Sequence, residues 1–330
     1  MKFVKKFISL LIIIGILSFA SVFGAAAIDM SDDSFTYSID FVNTTATIKQ
    51  YKLNETSVAV PSYFQQFKVV GIEKSAFAGK DNIESVLLPL TIESIGESAF
   101  EGCASLEYFS VPSSVKRLGV SVCKGDTALK KVEFNAPLLT LPAYSFSNCS
   151  SLSDVVMSDT VTTIGQAAFS GCTSLKDISY FDHTNRFERI AFYKSGLEEI
   201  DINENITAIY DYTFADCANL TGVMIPGTVT YIDPTAFLND SKLTLKVYYD
   251  SYAHHFAQDN GIAYQLISDH EMGDVDRSGS VNVTDVTVLQ RYLAEWESFD
   301  EEQMILADMT GDDGVDISDA TAIQFYIVNH

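Results

Sequence analysis

Positive charge is scarce in this sequence: 21 Lys and Arg stand against 44 Asp and Glu, for a formal net charge of −23. That deficit excludes a nucleic-acid partner, because phosphate contacts need clustered basic side chains. Beyond residue 24 there is no apolar run long enough to span a bilayer. No G-x-S-x-G, H-E-x-x-H or Cys/His nucleophile pattern occurs, so the common hydrolase signatures are missing. Cysteines number only five, and an odd count leaves at least one thiol outside any internal disulfide framework.

What is there is ample for a core: 330 residues with 47% apolar content accommodate two domains or one long repeat array. The N-terminus has the pattern of a targeting segment. Lys2, Lys5 and Lys6 precede the apolar run 7–24, and Ala25, Ala26 and Ala27 follow it. Export with cleavage after Ala27 is expected, with an uncleaved membrane anchor as the alternative. Acid is concentrated at the other end. From Gly273 to His330 there are nine Asp and four Glu against only Arg277 and Arg291, which marks a separate module.

A period of 23 residues fills the middle. Ile72-x4-Phe77, Ile95-x4-Phe100, Leu118-x4-Cys123, Leu141-x4-Phe146, Ile164-x4-Phe169, Ile209-x4-Phe214 and Ile232-x4-Phe237 share one spacing, and Phe192 supplies a degenerate copy. A Leu or Ile six residues after the Phe is followed by apolar residues three and five further on, as in Leu106, Phe109 and Val111. Residues two apart share a strand face. Each unit therefore contributes a short strand with an inward apolar pair, and the ring lies on the return path between stacked coils. One unit cannot bury both features alone, so the pattern predicts a solenoid with capped ends. Residues 35–52 alternate like a hairpin at the front. At the back, Leu245 and Val247 form a last strand and 252–264 a covering helix, with His254 and His255 on its surface. Cys103, Cys149, Cys172 and Cys217 fall at one repeat position. They are expected as buried free thiols, with a Cys149–Cys172 bridge as the alternative.

The motif I-G-x-x-A-F-x-G-C-x-x-L-x-x-V, clearest at 95–109 and 164–178, resembles the BspA-type leucine-rich repeat. The resemblance implies an α/β repeat solenoid of short parallel strands used extracellularly for protein or surface interaction. The outward strand positions are the candidate ligand face: Leu87, Tyr108, Lys131, Glu133, Asp154, Asp177, Asp201 and Met224, with Ser85, Ser110, Val156, Ser179, Glu199 and Gly222 beside them. No aromatic stripe emerges there beyond Tyr108.

The tail carries two acidic loops. Asp274, Asp276, Ser278, Asn282 and Asp285 place oxygens at positions 1, 3, 5, 9 and 12 of an EF-hand-like loop, with Gly279 at 6 and the carbonyl of Ser280 at 7. Thirty-four residues on, Asp308, Thr310, Asp312, the carbonyl of Gly314, Asp316 and Asp319 take the same places. Position 6 there is Asp313, which must then adopt a left-handed conformation, and weaker binding is expected. Two Ca2+ ions are the expected cofactors. After the loops, Val286, Leu289, Tyr292 and Leu293, and likewise Ala320, Ile323, Tyr326 and Ile327, recur at helical spacing. A connecting helix is expected to begin near Ser298, in a capping box with Glu301.

Two loops ending in Asp, each followed by one helix, resemble the type I dockerin duplication over 273–328. The resemblance implies Ca2+-dependent docking to a cohesin domain of a scaffoldin, as in cellulosomes. It places the cohesin contacts at Val283, Thr284, Gln290 and Arg291, or at Ile317, Ser318, Gln324 and Phe325. Arg291 against Phe325 makes the halves unlike, so one preferred orientation is expected. The division read from the sequence is 1–27 signal peptide, 28–57 N-terminal cap, 58–268 solenoid with C-terminal cap, 269–272 linker and 273–330 dockerin. The mature front end of about 30 residues that the repeats and the tail leave over cannot enclose a catalytic pocket. A secreted, noncatalytic interaction protein follows, its repeats binding a protein, a cell surface or plant-wall material. A carbohydrate-binding or polysaccharide-degrading component is the alternative.

Overall fold

A short strand with two inward apolar side chains gains a core only by stacking on its copies. The computed structural model, which describes residues 27–177, 182–312 and 314–330, has that arrangement. Ser57–Ala59, Ser85–Leu87, Tyr108–Val111, Lys131–Phe134 and Asp154–Met157 form one parallel sheet. Glu199–Asp201, Gly222–Ile225 and Thr244–Tyr248 continue the pattern in a second. From Ser85–Leu87 to Asp154–Met157 the pairing keeps the 23-residue offset, so that Tyr108, Lys131 and Asp154 stand in one outward row. Val132, Val155, Val223 and Leu245 point inward and are buried. Two-residue strands, such as Thr140–Leu141, Thr163–Ile164 and Arg186–Phe187, pair along another side of the coils.

The corner bearing the ring is held by a ladder of its own. The N–H groups of Phe77, Phe100, Cys123, Phe146 and Phe169 donate to the carbonyls of Ala99, Val122, Ser145, Ala168 and Ala191 on the next coil, at 2.8–2.9 Å. The residues two before and two after the ring take positive φ, as at Ser98 and Gly102 or Ser121 and Gly125, so outward and inward groups alternate around a tight bend. The rings stack: Phe146, Phe169, Phe192, Phe214 and Phe237 follow one another at 5.6–5.7 Å. Cys123 breaks the column, and Phe109 from the strand packs on Phe100 at 4.9 Å. The glycine after the Ile permits close approach. A Cβ on Gly119 would lie 2.3 Å from the backbone N of Glu97.

All five cysteines are free and buried. The thiols of Cys103, Cys149, Cys172 and Cys217 each donate to a backbone carbonyl about one coil back, at 3.0–3.4 Å. Those donations answer the Cys149–Cys172 alternative, since each sulfur has a carbonyl partner. The predicted hairpin is Phe35–Asp40 against Thr45–Tyr51, with Ile28–Ser31 added antiparallel. At the back, helix α1 (Tyr252–Asn260) ends at Gly261 in the left-handed region. It is shorter than expected, because Ala263–Ile267 returns as a further parallel strand beside Thr244–Tyr248. His254 is not a surface residue. It is 3% exposed, and its Nδ1 accepts from the Asp250 N–H. Gly222 is likewise covered, with Glu199 above it. No helix among the described residues is long and apolar enough to cross a membrane.

The tail folds as helices α2 (Val283–Leu293), α3 (Glu301–Ala307) and α4 (Ile317–Asn329). Its small core joins Val275, Val286, Leu289, Ala307, Ala320 and Ile323. Helix α3 starts later than the Ser298 box implies. Its N-cap is Asp300, paired reciprocally with Gln303, because Phe299 stacks on Tyr292 at 4.2 Å and holds that stretch outside the helix.

Candidate metal centre

In the first tail loop the chain doubles back so that carboxylate oxygens of Asp274, Asp276 and Asp285 lie within 4.8 Å of one another. Asp274 and Asp285 are fully buried. Two left-handed residues make the bend, Arg277 at φ 58° and Gly279 at φ 87°. Backbone donors then fix the acids. Asp274 accepts from Ser278 and Gly279 N–H groups at 2.9 Å, and Asp285 accepts from Asp276 and Asn282 N–H groups at 2.9 and 2.8 Å. Asp285 doubles as the third helical residue of α2 in a capping box with Asn282, so the loop and the helix start are one structure.

The electrostatics call for a cation. Burial, then repulsion from Asp276 and Asp274, raises Asp285 above the ordinary carboxylate range despite its backbone donors. Asp276 is also pushed up by burial, but hydrogen bonds from Ser278 outweigh this and leave it lowered. Among the described residues no Lys or Arg pairs with the cluster: Arg277 reaches outward to Asp300 and Glu302. His270 Nδ1 lies 3.2 Å from Asp274 Oδ2. An all-oxygen set with three converging carboxylates fits a hard divalent cation such as Ca2+. Ser278 and the carbonyl of Ser280 sit within the same loop, hydroxyl to carbonyl at 3.3 Å. Asn282 stands differently. Its Oδ1 accepts from Thr284 N–H as the helix cap, which leaves position 9 to act through water.

The second loop has the same frame with different filling. Asp308 accepts from Gly311 and Asp312 N–H groups at 2.8 and 3.2 Å. Buried Asp319 accepts from Thr310 and Asp316 N–H groups. Thr310 takes the place of Asp276, and its hydroxyl donates to Asp319 Oδ1 at 2.9 Å. Asp312 accepts from Gly314 N–H. Asp316 is held low by Ser318, whose hydroxyl and N–H both donate to it at 2.6 Å. Among the described residues the three-carboxylate grouping occurs only in the first loop. The expectation for Asp313 lies outside the described residues, as do Ser179 and the targeting segment before Ala27.

The two expected docking faces are both solvent-exposed, and they differ. On α2, Val283 is 70% exposed beside Thr284, Gln290 and Arg291, and Arg291 is tied to Glu297 at 3.2 Å. On α4, Ile317 and Phe325 are 65% and 72% exposed beside Ser318 and Gln324. A groove of about 580 Å3 runs there between Met309, Ser318, Thr321, Ala322, Phe325 and Tyr326. Thr321 and Val328 are exposed beside Ile317 and Phe325 on α4, and the loop positions do not single them out. Their helical spacing from Ser318 and Phe325 is the signal that finds them.

On the solenoid, Leu87, Asp177 and Asp201 are exposed, Tyr108 less so, and Met224 is half-buried. The row between them is internally paired. Tyr108 donates to Glu133 at 2.7 Å, and Lys131 bridges Glu133 and Asp154 at 3.3 and 3.2 Å.

The family described as BspA type leucine rich repeat region matches in six copies over residues 30–153 and 139–254, and the dockerin type I domain matches 272–328. Neither is a catalytic type. No curated protein matches the chain. Similar solved structures include a leucine-rich cell surface protein from Faecalibacterium prausnitzii, 21% identical over 74% of this chain and 95% of that one, TM-score 0.34. A leucine-rich repeat protein from Eubacterium ventriosum is 22% identical over 65% and 50%, TM-score 0.47. One from Bacteroides ovatus is 21% identical over 73% and 77%, TM-score 0.41.

Proposed function

The chain belongs to the BspA-type leucine-rich repeat family and ends in a type I dockerin domain, and from that premise we propose that it is an exported, noncatalytic adaptor. Two Ca2+ ions hold the tail in shape, the tail docks on a cohesin domain of a scaffoldin, and the repeats present a surface to a protein or plant-wall ligand. The working units are residues 28–57, 58–268 and 273–330, joined by a linker at 269–272. The observation that carries this reading is the first loop, where three carboxylates converge with no Lys or Arg paired to them among the described residues. In the loaded state Asp274, Asp276, Ser278, the Ser280 carbonyl and Asp285 surround one ion. Asp308, Thr310, Asp312, the Gly314 carbonyl, Asp316 and Asp319 surround the other. When bound, Ca2+ would supply charge neutralisation and with it the order of the loops; the chain's own residues make the docking face.

The second half is the preferred face. Ile317, Phe325 and Val328 expose apolar surface beside a groove, whereas Arg291 is engaged by Glu297. Apolar anchors that enter a pocket dominate binding energies. A cohesin panel, assayed with and without chelator on the parent chain and on Asp274→Ala and Asp308→Ala, tests the whole reading. Capture is expected in Ca2+ alone and is expected to fall in both variants. Undiminished capture in chelator overturns it.

A further inference from the structure

The junction between tail and solenoid is built, and its centre is a residue inside the first acidic loop. Arg277 stands between Asp276 and Ser278, and its left-handed backbone turns its side chain away from the carboxylate cluster. The guanidinium pairs with Asp300 and with Glu302, at 3.0 Å for the latter, at the start of α3. It also lies over the ring of Tyr249, 5.7 Å from the centroid, and Tyr249 belongs to the solenoid's C-terminal cap. The neighbouring acids of α3 face the same way. Glu301 is 3.5 Å from Nε2 of buried His254 in α1, and Glu302 accepts from the hydroxyl of Ser268 at 2.6 Å. A cavity of about 390 Å3, lined by Tyr248, Asp250, Ser251, Asp269, His270 and Glu302, lies at this seam. Ion pairs at exposed sites contribute little. This one differs, because Arg277, Asp300 and Glu302 are all less than a third exposed and an aromatic face closes over the guanidinium.

We propose that the tail is seated on the solenoid cap with Arg277 as its latch, so that Ca2+ loading of the first loop sets the orientation of the solenoid relative to the docking face. This rests on the metal reading above. The physical link is short. Ordering Asp276 and Ser278 around an ion fixes the Arg277 backbone between them, and the fixed guanidinium then joins α3 to Tyr249. Without the ion, repulsion among Asp274, Asp276 and Asp285 opens the loop, and the latch is lost with it. A scaffold-bound copy would then present its repeats in one direction and not on a swinging tether.

The test uses the full chain, and Arg277→Ser, in Ca2+ and in EGTA. Calorimetry counts the ions, hydrogen exchange follows residues 248–260, and small-angle scattering gives the maximum dimension. In Ca2+ the parent chain is expected to protect 248–260. Arg277→Ser is expected to bind the same number of ions yet exchange that segment about tenfold faster, with a longer maximum dimension, and EGTA is expected to do the same to the parent. Full ion uptake with exchange and dimension unchanged in both comparisons overturns the latch and leaves the metal reading standing. Absence of any Ca2+ uptake overturns both.

Discussion

Single positions carry departures from the repeat that cost stability. Asp126 occupies the place where Cys103, Cys149 and Cys172 stand in other coils, and it is fully buried. Its Oδ1 accepts from the Cys103 N–H at 2.8 Å, but burial still pushes its carboxyl up to about 9. The unfolded chain titrates this group near 4. A folded value above the unfolded one means that folding retains a proton. The favourable contribution is therefore complete below about pH 4 and is lost as pH rises through about 9. Asp126→Asn keeps the acceptor and removes the proton uptake that folding demands above about pH 4. Urea unfolding at pH 8 is expected to show the variant more stable by about 1–3 kcal/mol, the gap narrowing toward pH 5; an equal or lower midpoint at pH 8 contradicts this. The metal loop shows a related economy at residue scale, since Asp285 serves helix start and candidate ligand together. Asp274→Ala is expected to remove one of two Ca2+ uptake events in calorimetry, and loss of neither event would refute its role.

Among elements, the ring column is what the solenoid is built around. Phe169 is fully buried between Phe146 and Phe192 at 5.7 Å on both sides. Removing a ring of that size from a closed core costs about 3–5 kcal/mol. Phe169→Ala is expected to lower the thermal midpoint of the solenoid strongly while leaving Ca2+ uptake by the tail intact. The helices of the tail offer the second comparison. Phe325→Ala removes an exposed apolar anchor from α4 and is expected to weaken cohesin capture about tenfold or more, whereas Arg291→Ala on α2 is expected to change it by less than about threefold. Equal losses would mean that both faces dock.

At the scale of the molecule, two unlike solutions to stability are joined. The solenoid buries a continuous core from Phe35 to Phe256, and each coil is supported by its neighbours. The tail has only a handful of buried apolar side chains, so an ion bound to the folded form is expected to supply much of its folding energy. At a hundredfold excess over the dissociation constant that linkage amounts to about 2.7 kcal/mol per site. Scanning calorimetry of the full chain is expected to show two transitions, one raised by Ca2+ and one nearly insensitive to it. A single transition that moves as a whole would show the two units unfolding together.

Much of this is legible in the amino-acid sequence. The recurrence of Phe every 23 residues announces stacked coils because a ring with no partner on its own coil must find one on the next. The oxygen spacing from Asp274 to Asp285 announces a loop wrapped round a point because alternate residues face inward. Such readings depend on local periodicity, which a sequence carries openly. Contacts between distant segments are another matter. Nothing near Ser298 says that Phe299 stacks on Tyr292 and delays the helix to Asp300, and nothing in the His254–His255 pair says which ring is buried. The pairing of Tyr108, Glu133, Lys131 and Asp154, and the reach of Arg277 to Tyr249, likewise depend on where whole elements come to rest. The sequence by itself determined the repeat, the loops and their chemistry, since these are periodic and local; the tertiary structure alone decided which exposed groups are already paired and where the tail sits, because packing joins residues that share no spacing.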